Sequence, residues 1–187
     1  MLYGTPKQLA DGRYYVKVTK DDEKSPVFLQ LNNVTICNSP SESDTVFLEP
    51  SDVSKVVSVD STNLEMAKER SVEWFTKELN HKTLEAAYQG SIGADGDLKT
   101  QKLSRGGAII TKAFSADKTQ TDLDGITTGT KCNVIVEFSG LIFTKKSFSP
   151  MWKLVQVRVC PGPRKKYTDD YLFEDQEDDP DSDEDFA

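Results

Sequence analysis

Cys132-Asn133-Val134-Ile135-Val136-Glu137-Phe138-Ser139-Gly140-Leu141 is the stretch on which the fold turns. Val134, Val136 and Phe138 alternate with Asn133, Ile135 and Glu137, the period of two that gives a strand one core face and one solvent face. Ser139-Gly140 reads as a turn. Residues 141–148 then resume with Leu141 and Phe143 on one face and Lys145 continuing it outward. Residues 153–159 repeat the pattern, with Val155, Val157 and Val159 to one side and Trp152, Leu154, Gln156 and Arg158 to the other. Three such strands joined by brief turns predict an antiparallel sheet that closes on itself.

Upstream of this core, residues 13–18 follow the turn-prone Asp11-Gly12. Further short β-branched or aromatic runs lie at 27–31, 34–37, 46–48 and 53–59. Asn32-Asn33 sits between two of them as a tight hairpin turn. Near residue 61 the period changes. Thr62 and Glu65 have capping-box spacing, and Leu64, Ala67, Ser71 or Val72, Phe75 and Leu79 recur every three or four residues, which predicts an amphipathic helix over 62–79. A second short helix is expected near 82–89, and Trp74 is expected to pack despite lying off the main stripe. Residues 107–114 read as a strand, and 115–130, rich in Ser, Thr, Asp and Gly, as a long loop of the kind that often carries function.

The 187 residues, 36% hydrophobic and 29% charged, suit one globular domain with a short tail. Charge divides them. Residues 169–187 hold 11 acids and no base, so the net charge of −8 hides a body of +3. Within the body, residues 131–168 carry 8 bases against Glu137 alone. Pro161-Gly162-Pro163 ends the last strand, so the expected division is a barrel domain over 1–168 and an acidic tail over 169–187. The tail's composition cannot build a core, and it is expected to be disordered when unbound.

Enzyme classes find little support. No phosphate-binding glycine loop, HExxH or GxSxG occurs, and Asp95-Gly96-Asp97, Asp122 and Asp124 read as turn chemistry. One histidine, His81, and three cysteines without CxxC spacing give no metal site, disulfide framework or cofactor anchor. No apolar run nears the ~20 residues of a membrane span, so an intracellular protein without a membrane partner is expected. What remains is a distributed nucleic-acid signal. Lys131, Lys145, Lys146, Lys153, Arg158, Arg164, Lys165 and Lys166 are interleaved with Phe143, Phe148, Trp152 and Tyr167. Cations track phosphates and flat rings stack bases, which is what a sequence-tolerant grip on a single strand requires. Two readings stay open for Trp152 and for Phe143: base-stacking ring or core residue.

The β-rich body, the segments Val134-Ile135-Val136-Glu137-Phe138-Ser139-Gly140-Leu141 and Trp152-Lys153-Leu154-Val155-Gln156-Val157-Arg158, and the end Asp183-Glu184-Asp185-Phe186 together resemble the single-stranded DNA-binding proteins of short-tailed bacteriophages and their relatives in large eukaryotic DNA viruses. The resemblance implies a mainly β, OB-like antiparallel barrel with a packed or inserted amphipathic helix. It carries Trp152, Arg158, Lys145 and Lys153 into the groove, and makes Asp183, Glu184, Asp185 and Phe186 a docking end for replication proteins. Here Ala187 follows the terminal aromatic. The expectation is a non-enzymatic single-stranded DNA-binding protein without cofactors, acting at sites of DNA replication or recombination (viral factory or host nucleus for a viral protein). A homodimer is compatible with it. The rival is an acidic-tailed histone or assembly chaperone, or another interaction protein.

Overall fold

The computed structural model describes residues 1–21 and 24–162. Five strands open the chain: β1 (Leu2–Tyr3), β2 (Lys7–Gln8), β3 (Tyr14–Thr19), β4 (Val27–Ile36) and β5 (Thr45–Glu49). Helices α1 (Ser54–Glu69), α2 (Ser71–Phe75) and α3 (His81–Ala87) follow. Next come β6 (Leu98–Lys102), β7 (Ser104–Arg105), β8 (Ala108–Ile109), β9 (Lys112–Phe114) and β10 (Gln120–Thr121), and then the two long strands β11 (Lys131–Phe143) and β12 (Phe148–Val159).

Five of these strands close a ring. β11 pairs with β4, β4 with β5, β5 with β6, β6 with β12, and β12 returns to β11. Counted along the chain the ring runs first, second, third, fifth, fourth, and the third and fifth are parallel; this is the OB arrangement. The long strands organise everything else. The edge of β11 away from β12 carries β4 along residues 131–138 and then β3 along 140–143. The outer edge of β12 carries β6 at 153–154 and then β9 at 156–158. Between β6 and β9 the chain leaves the sheet as the β7–β8 hairpin, turning at Gly106 (φ 58°) and Gly107 (φ 83°), both in the left-handed region open to glycine.

Several expectations change at this level. Ser139-Gly140 is not a turn, because β11 runs unbroken to Phe143 with a register shift there. Gly140 is fixed by a close approach: a Cβ would run into the Val16 carbonyl oxygen and the Tyr15 ring. Asn32-Asn33 does not make a hairpin either. β4 continues through both, and Asn33, at φ 51°, forms a bulge against β11 while its N–H donates to the Asn133 side chain at 3.0 Å. Residues 53–59, read as a strand, begin helix α1. Val56 and Val59 extend a buried stripe with Asn63 and Ala67, so helical spacing overrides the β preference of valine. The helix expected over 62–79 is thus longer at its start and breaks at Arg70. The strand expected over 107–114 is divided between β8 and β9.

The helices cover one end of the barrel, where a cluster of rings forms. Phe143 and Phe148 stack at 5.4 Å, with Trp74 and Phe75 edge-on to Phe143 at 5.6 Å and Tyr88 against Phe148 at 5.0 Å. Trp74 packs as expected. Below this cluster a chain of polar groups ties helices to strands. Tyr3 donates to Asn63 (2.7 Å), Asn63 to the Tyr88 hydroxyl (3.0 Å), Tyr88 to Asp60 (2.7 Å), and Ser91 to Asp60 through its hydroxyl (2.6 Å).

Candidate nucleic-acid interface

Residues directly opposed in a ladder point to the same side, so the register defines the barrel's outer face. One row across it is Phe28, Glu137, Lys153 and Gln101. The next is Gln30, Ile135, Gln156 and Lys112, and the third is Asn133, Arg158 and Phe114. Gln30, Asn133, Ile135, Gln156, Arg158 and Phe114 line an open groove of about 270 Å³, with Lys118 also on its wall. Lys118 is placed by a turn: Ser115 and the Thr119 N–H donate to Asp117, and Lys118 takes φ 71°. Those donors, Ser115 first, hold the Asp117 carboxyl below its ordinary range.

The chemistry of this face is mixed by design of the strands. Lys112, Lys118, Lys153 and Arg158 supply positive charge, set against Glu137 within the rows. Phe28 is 52% exposed and Phe114 half-buried, so each offers ring surface. Gln30, Asn133 and Gln156 bring amides, which both donate and accept hydrogen bonds.

Two sequence-predicted stacking residues are elsewhere. Trp152 is 2% exposed; its ring meets Phe138 at 5.2 Å and its indole N–H donates to the Ser91 hydroxyl at 2.8 Å. It is a core residue at the end of the polar chain from Asp60. Phe143 is also buried, inside the ring cluster. The cause of the Trp152 misreading is a bulge. Ile135 opposes Gln156 while Val136 opposes Leu154, leaving Val155 unmatched. Trp152 and Leu154 therefore turn inward, while Gln156 and Arg158, assigned by strict alternation to the same face, turn outward.

Of the predicted cations, the structure brings Arg158 and Lys153 onto one face. Lys131 lies at the same end of β11 as Arg158, its ammonium donating to the Thr35 hydroxyl at 2.7 Å. Lys145 and Lys146 are exposed on the turn beyond Phe143, about 40 Å along the strand from Lys131, and do not join the groove. Arg164, Lys165, Lys166, Asp183, Glu184, Asp185 and Phe186, with the 168/169 boundary, lie outside the described residues. The sequence reading missed Phe28, Phe114, Lys112 and Lys118. Lys112 and Phe114, alternate residues on one face of the strand expected over 107–114, were placed together by the sequence but carried no sign of the groove.

Among the described residues, no group of three or more His, Cys, Asp and Glu side chains is placed to hold a metal ion, and no helix is long and apolar enough to cross a membrane. No curated protein matches the chain. Among solved structures it is similar to the single-stranded DNA-binding protein from bacteriophage Enc34 in complex with ssDNA, at 10% identity and a TM-score of 0.49, over 85% of this chain and 96% of that one. The family of unknown function DUF5871 matches residues 32–175, which takes in β11, β12 and all of the groove except Gln30. The chain belongs to the family of unknown function DUF5871.

Proposed function

We propose that the protein binds single-stranded DNA without reading its sequence, acting without turnover in DNA replication or recombination. The observation that carries this is the groove in which Phe114 and Arg158 lie opposite one another among three amides, with Lys112, Lys118 and Lys153 around them. An unpaired base has a free face to stack on Phe114, and cations alongside meet its phosphates. Amides satisfy the edge of any base in turn, so affinity does not depend on sequence. Strands are protected and hairpins opened by mass action, since the unpaired form is the one bound.

The test is fluorescence anisotropy with single- and double-stranded DNA at several salt concentrations. Four cations on the face predict a slope of about −3 in log K against log salt, at ~0.7 per phosphate neutralised. Duplex binding as tight as single-strand binding, or binding to histones in place of DNA, would replace this reading with the acidic-tailed chaperone. The tail follows from the same electrostatics. Residues 169–187 compete with DNA for the groove, and Asp183, Glu184, Asp185 and Phe186 recruit replication proteins. Removing the tail takes the chain from −8 to +3 and tightens DNA binding, most at low salt. Phe186→Ala alone leaves DNA affinity unchanged and weakens protein partners.

A further inference from the structure

The outer face of β11 does not end at Glu137. Beyond the Ser139 irregularity two more rows continue it: Met151, Gly140 and Lys17, then Ser149, Ile142, Tyr15 and Lys7. Here β1, β2 and β3 enclose a second cleft of about 520 Å³, lined among others by Leu2, Thr5, Lys7, Tyr15, Lys17 and Thr19. Both lysines are exposed. The missing side chain at Gly140 leaves room for the Tyr15 ring, whose hydroxyl donates to the Ser139 carbonyl. Burial pushes the Tyr15 phenol up, and the carboxylate of Glu137 adds to it.

We propose that this cleft is a second backbone-binding site for the same DNA strand, holding phosphates between Lys7 and Lys17 while the first groove holds bases at Phe114 and Arg158. The inference rests on the single-strand reading above. The two sites lie along one strand surface, with Asn133 and Ile142 about 30 Å apart at ~3.3 Å per residue. Between them stand Glu137, which repels phosphate, and Phe28, which offers an exposed ring. The footprint is therefore bipartite: two cationic ends and a middle where bases rather than phosphates make contact. A strand held at one end reaches the other at high effective concentration, so length rather than sequence sets affinity.

The experiment measures anisotropy with oligothymidines of about 5 and about 20 nucleotides, lengths chosen against the ~4–16 nucleotides that one OB fold covers. It compares the full chain with Lys7→Ala/Lys17→Ala, the charge-keeping Lys7→Arg/Lys17→Arg, and Lys68→Ala/Lys82→Ala, which removes two exposed helix charges. For the first variant the long oligonucleotide loses about 10- to 30-fold near 0.1 M salt and its salt slope falls by ~1.4. The short one changes less than about twofold, because it occupies the first groove alone. The arginine pair retains wild-type affinity for both, and the helix pair leaves both unchanged. Equal losses for both lengths, no loss for the long one, or the same loss from the helix pair would overturn the second site while leaving the first groove standing. Failure of the wild-type chain to bind either length would overturn the single-strand reading itself, and this inference with it.

Discussion

The two halves of β12 share a strand and a run of alternating residues, yet they face opposite duties. The first half sends Trp152 and Leu154 into the barrel, where the indole N–H finds Ser91 and the ring meets Phe138. The second half sends Gln156 and Arg158 outward, beside Phe114 and Asn133. Val155, the unmatched residue between them, is what moves the even-numbered residues from the core face to the outer face partway along the strand. Chemical type alone does not assign a role, since the larger ring of the pair Trp152 and Phe114 is the structural one. A ring whose polar atom has a buried partner is held by the core, and a half-exposed ring next to a guanidinium is available to a ligand.

The largest effect should come from deleting Val157, the buried residue between Gln156 and Arg158. If the bulge at Val155 stays, Arg158 turns inward; if the bulge is consumed to restore the alternation, Gln156 does, because a one-residue slip reverses every side chain beyond it. Neither side chain has a partner in the core, so this variant should lose its cooperative thermal transition by circular dichroism. Deleting Val155 instead leaves Leu154 inward and Gln156 outward in plain alternation, and should keep a cooperative transition. A Val157 deletion that melts like the wild type would break the comparison outright.

Trp152→Ala comes next, at roughly 3–5 kcal/mol of stability, since it leaves a cavity beside Phe138 and takes away the indole donor to the Ser91 hydroxyl. Denaturant titration gives this number, and anisotropy on the same folded sample should show single-strand affinity little changed. Phe114→Ala should give the mirror image, with about 1–3 kcal/mol lost in binding and melting nearly unaffected. If both variants lose binding and stability together, inner and outer rings are not separable in this way.

The smallest effect concerns alkaline pH. Burial pushes the Cys132 thiol from 9.0 up to about 12, with Cys160 adding to it, and burial likewise raises the phenols of Tyr3 and Tyr88. The unfolded chain gives up these protons at lower pH than the folded one. Stability is therefore whole below about pH 9 and declines as pH climbs toward 12. Melting temperatures followed over that range should bend downward; a flat profile would place Cys132 in water.

The alternation at Val134, Val136 and Phe138 made the barrel legible in the sequence, because a strand buried on one side has no other pattern available. Trp74 was legible as a packing residue for a similar reason. The bulges at Val155 and Asn33 were not, since each inserts one residue whose type gives no sign of being extra. Helix α1 was read too short because Val56 and Val59 carry a local preference that only contact with the barrel overrules. At the site, Lys153 and Arg158 followed from charge density, whereas Phe28 and Lys118 did not. They reach this face from distant parts of the chain, Phe28 through ladder register and Lys118 through a single left-handed turn. Gly106-Gly107 did hold a hairpin signal that the reading of 107–114 as one strand passed over.

The closure of the ring has a consequence for how the molecule is made. β12 provides both closing ladders, to β11 and to β6, and it comes last in the chain among the described strands. β11 must also find β4 across about a hundred residues of intervening sequence. Such pairings have high contact order, so loop entropy is lost before any contact repays it, and folding is slow compared with a helical protein of the same size. A nascent chain emerging from the ribosome without residues 148–159 exposes β6 and β11 as two unpaired edges. Until synthesis passes Val159, those edges are open to other chains, and the growing protein is at its most prone to aggregate.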